Sequence, residues 1–513
     1  MSTADKINGL AERSEKILQQ GGEKAVAKQH SLGKLTARER IAAFLDEGSF
    51  IEIDRFVTHR CTAFGMESKE IPADGVVTGY GKVDDRTIFV YAQDFTATGG
   101  SMSEMASKKI CKIMDMAKSV GAPVVSLSDS GGARIQEGVD SLSGYGQIFY
   151  RNSLCSGVIP QISVIMGPCA GGASYSPALT DFVIMVDGIS QMFITGPAVV
   201  ESTTGEVISS EELGGAYTHN ATSGVSHLMA ETEQEAFELV AKILSYLPSS
   251  AEEFPPEEPY TPGDELRPEL DEIMPDSDRF PYDMKDVIEQ IADEGSFFEI
   301  QPLYADNIIV GFARVAGRSV GIIANQPFSL GGCLDVNASD KSARFIQMCD
   351  AFNIPLINLV DVPGFLPGVD QEHAGIIRHG AKMLYVYSVA EVPKITVVLR
   401  KAYGGSYLAM CSKDLGADCV LAWPTASIAV MGAEGAANVI FRKEIAAAED
   451  PEAKRAEMIE LYGSQFANPY VAASRGFVDM VIKPSETRAQ IISSLELLEN
   501  KAREGRVRGN MPL

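Results

Sequence analysis

The residues of this chain best suited to chemistry are two pairs of adjacent glycines. Gly171-Gly172 lies in G-P-C-A-G-G-A-S-Y-S-P-A-L, Gly167 to Leu179, just after the apolar run Ile162 to Met166. Gly404-Gly405 lies in R-K-A-Y-G-G-S-Y-L-A-M, Arg400 to Met410, just after Ile395 to Leu399. Short apolar runs of this kind read as buried strands. A glycine pair where a strand turns into a helix leaves backbone N–H groups without intrahelical partners. Glycine also lets a ligand come close to that backbone. Such amides can hold negative charge developing on an oxygen, as an oxyanion hole does. The same turn also serves plain close packing, and one copy alone does not choose between the two. Finding it twice favours chemistry.

Other chemistries find little support. There is no G-x-x-x-x-G-K-[ST], no G-x-G-x-x-G between strand and helix, and no G-x-S-x-G elbow at the glycine pairs. His219 and His227 are too far apart for a one-turn metal pair and read as ordinary histidines, so no metal is expected. Ser130 has no evident His or Asp partner. Cys169, between Pro168 and Ala170, has no nearby base and reads as a small buried thiol rather than a nucleophile.

The elements that position the two glycine pairs belong to a long internal repeat. D-E-G-S-F-I-E-I at Asp46 recurs as D-E-G-S-F-F-E-I at Asp293, 247 residues later. G-Y-G-K-V-D-D-R at Gly79 resembles G-F-A-R-V-A-G-R at Gly311, and P-V-V-S-L-S-D at Pro123 matches P-L-I-N-L-V-D at Pro355, both at an offset of 232. The glycine pairs are 233 apart, and F-I-T-G-P at Phe193 pairs with A-V-M-G-A at Ala429 at 236. This period is far longer than any solenoid repeat, so one ancestral domain was duplicated. Strands alternating with helices of about 15 residues indicate α/β units, with ligands expected at the C-terminal ends of strands.

The predicted domains are 1–248, an acidic Pro-rich linker at 249–283, and 284–513. In the first, Lys6 to Leu45 looks helical. A hairpin is predicted from Gly75 to Ala92 about Asp84-Asp85, and Met105 to Val120 is an amphipathic helix ahead of the strand Val124 to Leu127. The linker is predicted to lie extended on the surface. Beyond it come a helix at Val287 to Ile291 and strands at Val320 to Ala324, Leu356 to Val360 and Ile395 to Leu399. Helices close the chain at Pro451 to Tyr462 and Arg488 to Arg506. Lys34, Arg38 and Arg40 form a basic cluster of the sort that is usually solvated.

Formal net charge is −25 over 513 residues, which disfavours nucleic acid and anionic membranes as partners and makes any anionic ligand depend on local basic groups. The eight cysteines form no C-x-x-C pair and several lie in apolar stretches, which suits free thiols in a reducing compartment. No apolar run reaches the ~18 residues needed to span a bilayer, and the N-terminal residues have no signal-like core. A cytoplasmic location is expected.

D-S-G-G-A-R-I-Q-E-G at Asp129, G-P-C-A-G-G-A-S-Y-S-P-A-L-T-D at Gly167, D-V-P-G-F-L-P-G at Asp361 and R-K-A-Y-G-G-S-Y at Arg400 resemble the carboxyltransferase subunits of biotin-dependent acyl-CoA carboxylases. The resemblance runs from about Lys34 to Leu513 and is nearest to the propionyl-CoA and methylmalonyl-CoA branch, which includes carboxylase, transcarboxylase and sodium-pumping decarboxylase members. It implies tandem crotonase-like (ClpP-like) ββα-spiral domains. It further implies a homohexamer whose sites lie between the first domain of one subunit and the second domain of another.

By this resemblance the N–H groups of Gly171 and Gly172 serve one oxyanion, and those of Gly405 and Ser406 the other. The two oxyanions are a thioester enolate and the ureido oxygen of biotin. No side-chain base is implied, since the ureido nitrogen can take the α-proton. Gly131, Gly132, Ala133 and Arg134 are implied to line the acyl-CoA site, with Leu408 selecting the acyl group. Asp361, Pro363, Gly364, Phe365 and Gly375 are implied to line the biotin site. His373-Ala374 and Ala97-Thr98 depart from the family pattern, which bears on pocket shape. The chain has no Met-Lys-Met biotinylation signature, no ATP-grasp-like loop and no four-Cys ribbon, so biotin is expected on a separate carrier chain, with a biotin carboxylase or membrane decarboxylase subunits as further partners. The readings from other classes are a crotonase-type hydratase or thioesterase with a single oxyanion hole, and a non-catalytic two-lobed binding protein.

Overall fold

The structure, a computed structural model, describes residues 2–263, 265–278, 280–503 and 509–511. It divides into two compact units. One is Met1–Phe254 together with the described C-terminal residues 509–511, and the other starts at Pro255.

The sheet of the first unit contains β1 (Ile51–Ile53), β2 (Val76–Val83), β3 (Arg86–Gln93), β4 (Val124–Ser130), β5 (Gln161–Ala170), β6 (Phe182–Val186), β7 (Gln191–Phe193) and β8 (Leu228–Ala230). Their order is β1-β2-β3-β4-β5-β6-β8, with β7 on β5. The second unit contains β9 (Phe298–Ile300), β10 (Ile308–Val315), β11 (Arg318–Asn325), β12 (Leu356–Val362), β13 (Lys394–Tyr403), β14 (Cys419–Ala422), β15 (Ser427–Ala429) and β16 (Met480–Val481). Their order, β9-β10-β11-β12-β13-β14-β16 with β15 on β13, repeats that of the first sheet strand for strand. The sequence repeat is therefore a repeat of topology. In each sheet the first three strands pair antiparallel and the rest parallel, and a register break falls at the same place, between Ser128 and Ser130 and between Val360 and Val362.

Sequence chemistry explains the local structure. Asp84 and Asp85 both take left-handed φ, 49° and 63°, as a two-residue hairpin turn requires. The Asp46 carboxylate accepts from their N–H groups, and Asp293 does the same for Ala316 and Gly317, so the repeated D-E-G-S-F segment is a hairpin cap. The helix Glu104–Val120 is capped by Ser103 and buries Ile110, Ile113, Met114 and Ala117, the stripe that its spacing predicts.

Several elements depart from the sequence reading. The strands that precede the glycine pairs are ten residues long because each forks. Ile162–Ile165 pair with β6 while Pro168–Ala170 pair with β7, and Ile395–Val398 pair with β14 while Lys401–Tyr403 pair with β15. The N-terminal segment is three helices, Thr3–Leu18, Glu23–Ser31 and Ala37–Phe44. The basic cluster is not solvated. Lys34 and Arg40 are buried, and Arg38 makes a two-pronged pair with Glu52 at 2.9 and 2.8 Å. Leu270 and Tyr282, from the Pro-rich stretch, lie in the core of the second unit. The last helix is Thr487–Leu497, and the predicted end at Arg506 falls outside the described residues. The helix Val139–Cys155 was not anticipated, because its two glycines and many polar residues dilute the apolar period. Among the described residues no helix is long and apolar enough to cross a membrane.

Candidate active site

In the first unit β5 ends at Ala170, and Gly171 turns the chain with φ 61°, in the left-handed region that favours glycine. The Gly171 N–H donates to Phe193 O at 3.0 Å, extending the β5–β7 pairing by one bond. The Ser174 hydroxyl ties the turn down by donating to Cys169 O and Phe193 O at 2.7 and 3.1 Å. Gly172 and Ala173 open the helix Gly172–Ala178, and their N–H groups have no partner among the described residues. This corrects the expected donor pair, because the amide of Gly171 is already engaged. The open pair is Gly172 and Ala173. A side chain at Gly172 would put its Cβ 2.8 Å from the Tyr145 ring, so any larger residue here requires Tyr145 to move.

The second unit repeats the turn. Gly404 has φ 57°, and the N–H groups of Gly405 and Ser406 have no partner among the described residues. Counting from the left-handed glycine, Gly405 and Ser406 are the twins of Gly172 and Ala173. The Ser406 hydroxyl donates to Tyr403 O at 2.7 Å, and Leu408, one turn into the same helix, is 39% exposed.

Each turn has a loop beside it. After β4 the segment from Gly131 to Arg134 forms a parallel bridge with Met102, and after β12 the segment from Pro363 to Leu366 bridges Leu334 in the same way. The loops share the offset of 232, making Gly132 the twin of Gly364 and Ala133 that of Phe365. Gly132 has φ 96°, and a Cβ on it would lie 3.1 Å from Ala170 O, one residue before the turn. The Phe365 ring edge would be 3.9 Å from a Cβ on Gly405. Each unit therefore brings its loop against its own glycine turn. Gly375, with φ 89°, separates the helices Val369–Ala374 and Ile376–Val389, and a Cβ on Gly380 in the latter would lie 2.9 Å from the Phe365 ring.

Two predicted lining side chains face inward instead. The Arg134 guanidinium is buried against Asp74 at 2.6 Å and Glu137 at 3.0 Å. The Asp361 carboxylate accepts from Arg400 Nε at 2.9 Å and Lys401 N–H at 3.1 Å, with the Arg400 guanidinium 5.0 Å from the Tyr282 ring centre. Burial raises the Asp361 pKa, with Arg400 pulling the other way. Both groups are used up in anchoring their loops.

The twin of Asp361 is Asp129, equally buried. Its Oδ2 accepts from Arg40 at 2.9 Å, Lys34 at 2.7 Å and Gln29 at 3.0 Å, while Arg40 also donates to Met166 O at 2.8 Å and Glu233 at 2.5 Å. Burial lowers the Lys34 pKa, opposed by the Asp129 charge. The N-terminal segment thus locks the loop, a role that the sequence reading of these basic residues as a solvated cluster missed. Cys169 is fully buried and its thiol is pushed up to about 12 by burial, which suits an inert thiol. Ser130 donates to Gly100 O at 2.8 Å, His227 Nδ1 accepts from Val183 N–H at 3.1 Å, and His219 lies 2.7 Å from Met192 O, all structural roles. Two adjacent open amides at a fixed turn can stabilise an oxyanion.

The family model for the carboxyl transferase domain matches residues 28–511. The chain is 58% identical over 515 residues to methylmalonyl-CoA decarboxylase subunit alpha of Propionigenium modestum, covering 99% of both chains. It is 57% identical over 516 residues to the carboxyltransferase subunit of propionyl-CoA carboxylase of Haloferax mediterranei, covering 100% of both. Among solved structures it superposes on transcarboxylase 12S, a hexamer with methylmalonyl-coenzyme A and methylmalonic acid bound, with a TM-score of 0.97 and 56% identity over 100% of this chain and 99% of that one.

Proposed function

The chain belongs to the carboxyl transferase domain family, and from that premise we propose that it moves a carboxyl group between carboxybiotin on a carrier protein and the α-carbon of a short-chain acyl-CoA, propionyl-CoA or methylmalonyl-CoA. The observation that carries the reading is the pair of equivalent open amides in each half. Carboxyl transfer develops charge on two oxygens, the thioester oxygen and the ureido oxygen, and a duplicated chain supplies one donor pair for each. Gly172 and Ala173 stabilise one oxyanion, and Gly405 and Ser406 the other. Each such donor contributes about 3 kcal/mol of transition-state stabilisation.

Biotin, when bound, supplies a ureido nitrogen that carries the carboxyl group and takes the α-proton in exchange, which accounts for turns that carry amides and no side-chain base. The backbone of Gly131, Gly132 and Ala133 lies along the acyl-CoA, and Pro363, Gly364, Phe365 and Gly375 along biotin. In this reading the domain nearer the N-terminus serves acyl-CoA and the other serves biotin. The half-buried Phe365 ring and the exposed edge of Leu408 fit apolar ligand groups. The same residues serve a sodium-pumping methylmalonyl-CoA decarboxylase running the transfer in reverse, and identities of 58% and 57% to relatives of the two kinds support both equally. A cytoplasmic homohexamer working with a biotin carrier, and with a biotin carboxylase or membrane decarboxylase subunits, completes the reading.

The test is transfer from methylmalonyl-CoA to a biotinylated carrier, followed as propionyl-CoA formed, with avidin as the block. Gly172→Pro and Gly405→Pro each remove a donor and fix φ, and each is expected to abolish transfer. Near-full activity in either folded variant overturns the role of that turn.

A further inference from the structure

The helix Val139–Cys155 lies along the first glycine turn, and its contacts follow one face. Tyr145 covers Gly172, the Phe149 ring meets Tyr175 edge-on at 6.2 Å, and Asn152 Oδ1 accepts from the Ser176 hydroxyl at 3.0 Å. The same Asn152 exchanges two hydrogen bonds with the Gln161 side chain, both at 3.0 Å, at the start of β5. Gln161 N–H donates to Asp181 Oδ2 at 2.9 Å, and Asp181 N–H returns to Gln161 O at 2.9 Å. The remaining Asp181 oxygen is taken by Asn510, whose Nδ2 donates at 3.0 Å. Asn510 also clasps Ser156, just past the end of that helix, through its own N–H and C=O at 2.8 and 3.3 Å. Asn510, Asp181, Gln161 and Asn152 are all at least 97% buried.

The second unit contains the same device. Asp418 and Lys394 exchange backbone and carboxylate bonds at 2.8 Å at the start of β13, and Lys501 occupies the Asp418 carboxylate at 2.7 Å. In each unit an aspartate fastens the root of the forked strand, and a residue from the C-terminal segment fastens the aspartate.

We propose that Asn510 is a positioning residue for the first oxyanion turn. It holds Asp181 and the end of the helix Val139–Cys155, and through Gln161, Asn152 and Ser176 it sets the helix that presents the amides of Gly172 and Ala173. This rests on the carboxyl-transfer reading of that turn. A catalytic group displaced by about 1 Å loses roughly 100-fold in rate, so a fastening four hydrogen-bonded links away has leverage on kcat.

The test uses the full-length chain with its biotinylated carrier. Asn510→Ala is expected to lower kcat at least tenfold with KM for the acyl-CoA unchanged, and Asn510→Asp to lower it further by setting a second carboxylate beside Asp181. Asp181→Asn alone also lowers kcat, because Asn510 must flip its amide to pair with it and the charge-assisted bonds from Gln161 N–H and Asn510 are lost. The double variant Asp181→Asn with Asn510→Asp restores a donor–acceptor pair and recovers most of the rate, which a merely structural loss would not. Hydrogen exchange over Ser174–Leu179 gives a readout free of the reaction, expected to quicken in Asn510→Ala and to recover in the double variant. An unchanged kcat in Asn510→Ala, a double variant no better than the singles, or unaltered exchange over that helix overturns the proposal. If wild type transfers no carboxyl group while the exchange results hold, the fastening stands and the carboxyl-transfer reading fails.

Discussion

At the scale of single residues, the interior of the first unit holds charged groups in close pairs. Arg40 meets Asp129 and Glu233 with no exposure. Removing one partner of a buried pair leaves the other charge unpaired, at a cost of about 3–5 kcal/mol. Arg40→Met is expected to lower the urea midpoint of the first unit by that order, and Glu233→Gln by less, since an amide still accepts from Arg40. Cys169, with its thiol pushed up to about 12, should resist iodoacetamide at pH 8 in the folded protein and react once urea is added, which mass spectrometry of the Gly167–Leu179 region reads directly. Leu408 has a different role, at the edge of the second turn. An apolar wall there is expected to favour propionyl-CoA over acetyl-CoA, with one methylene worth roughly 1–3 kcal/mol. Leu408→Asp should reorder the acyl preference without abolishing transfer, so competing acyl-CoA kinetics that keep their order, alongside lower stability, would show Leu408 to be helix core.

At the scale of elements, the two forked strands are the working parts. Each pairs its first half with one neighbour and its second half with another, carrying a glycine turn at its end. The tightness of β5 can be tested at Gly167, where an added Cβ would fall 1.9 Å from Asp129 Oδ1. Gly167→Ala is expected to destabilise the first unit and to lower transfer together with stability, seen as a shifted melting transition. Much of this level was legible in the sequence. Glycine pairs after apolar runs placed both turns, the fixed offset paired them, and an Asp-Asp pair between two apolar runs gave the hairpin at Asp84-Asp85. The fork was not legible, because Gly167 to Ala170 read as a turn while Pro168–Ala170 pair with β7, which comes later in the chain. Nor could spacing show that Gly171 spends its N–H on Phe193, which leaves Gly172 and Ala173 as the open pair of amides. Arg134 and Asp361 stood in the right loops, but whether a side chain turns in or out depends on distant partners, here Asp74 and Arg400.

At the scale of the whole molecule, duplication sets the terms. Lys109 and Lys341 are buried twins, each donating to main-chain carbonyls, with Lys341 Nζ reaching Gln301, Tyr304, Ala305 and Ile308. Burial lowers Lys341 to about 7. Below that pH the folded and unfolded chains both carry the proton. Between about 7 and the ordinary lysine value of 10.5 only the unfolded chain holds it firmly, so stability gains with rising pH across that window, by up to about 1.4 kcal/mol per pH unit. Urea midpoints at several pH values should show this rise in wild type and its loss in Lys341→Met. Light scattering is expected to give a hexamer, and a monomer with intact transfer would overturn the assembly reading. The paired loops also turn the chain into a record of its own history. Asp129 and Asp361 agree, as do Gly132 and Gly364, while Ala133 stands opposite Phe365 and Arg134 opposite Leu366. Two sister genes fused into one polypeptide inherit the same demands on scaffolding but not the same tasks. Where the sisters still spell the same residue, the fold is speaking; where they have drifted apart, each has taken up its own half of the trade.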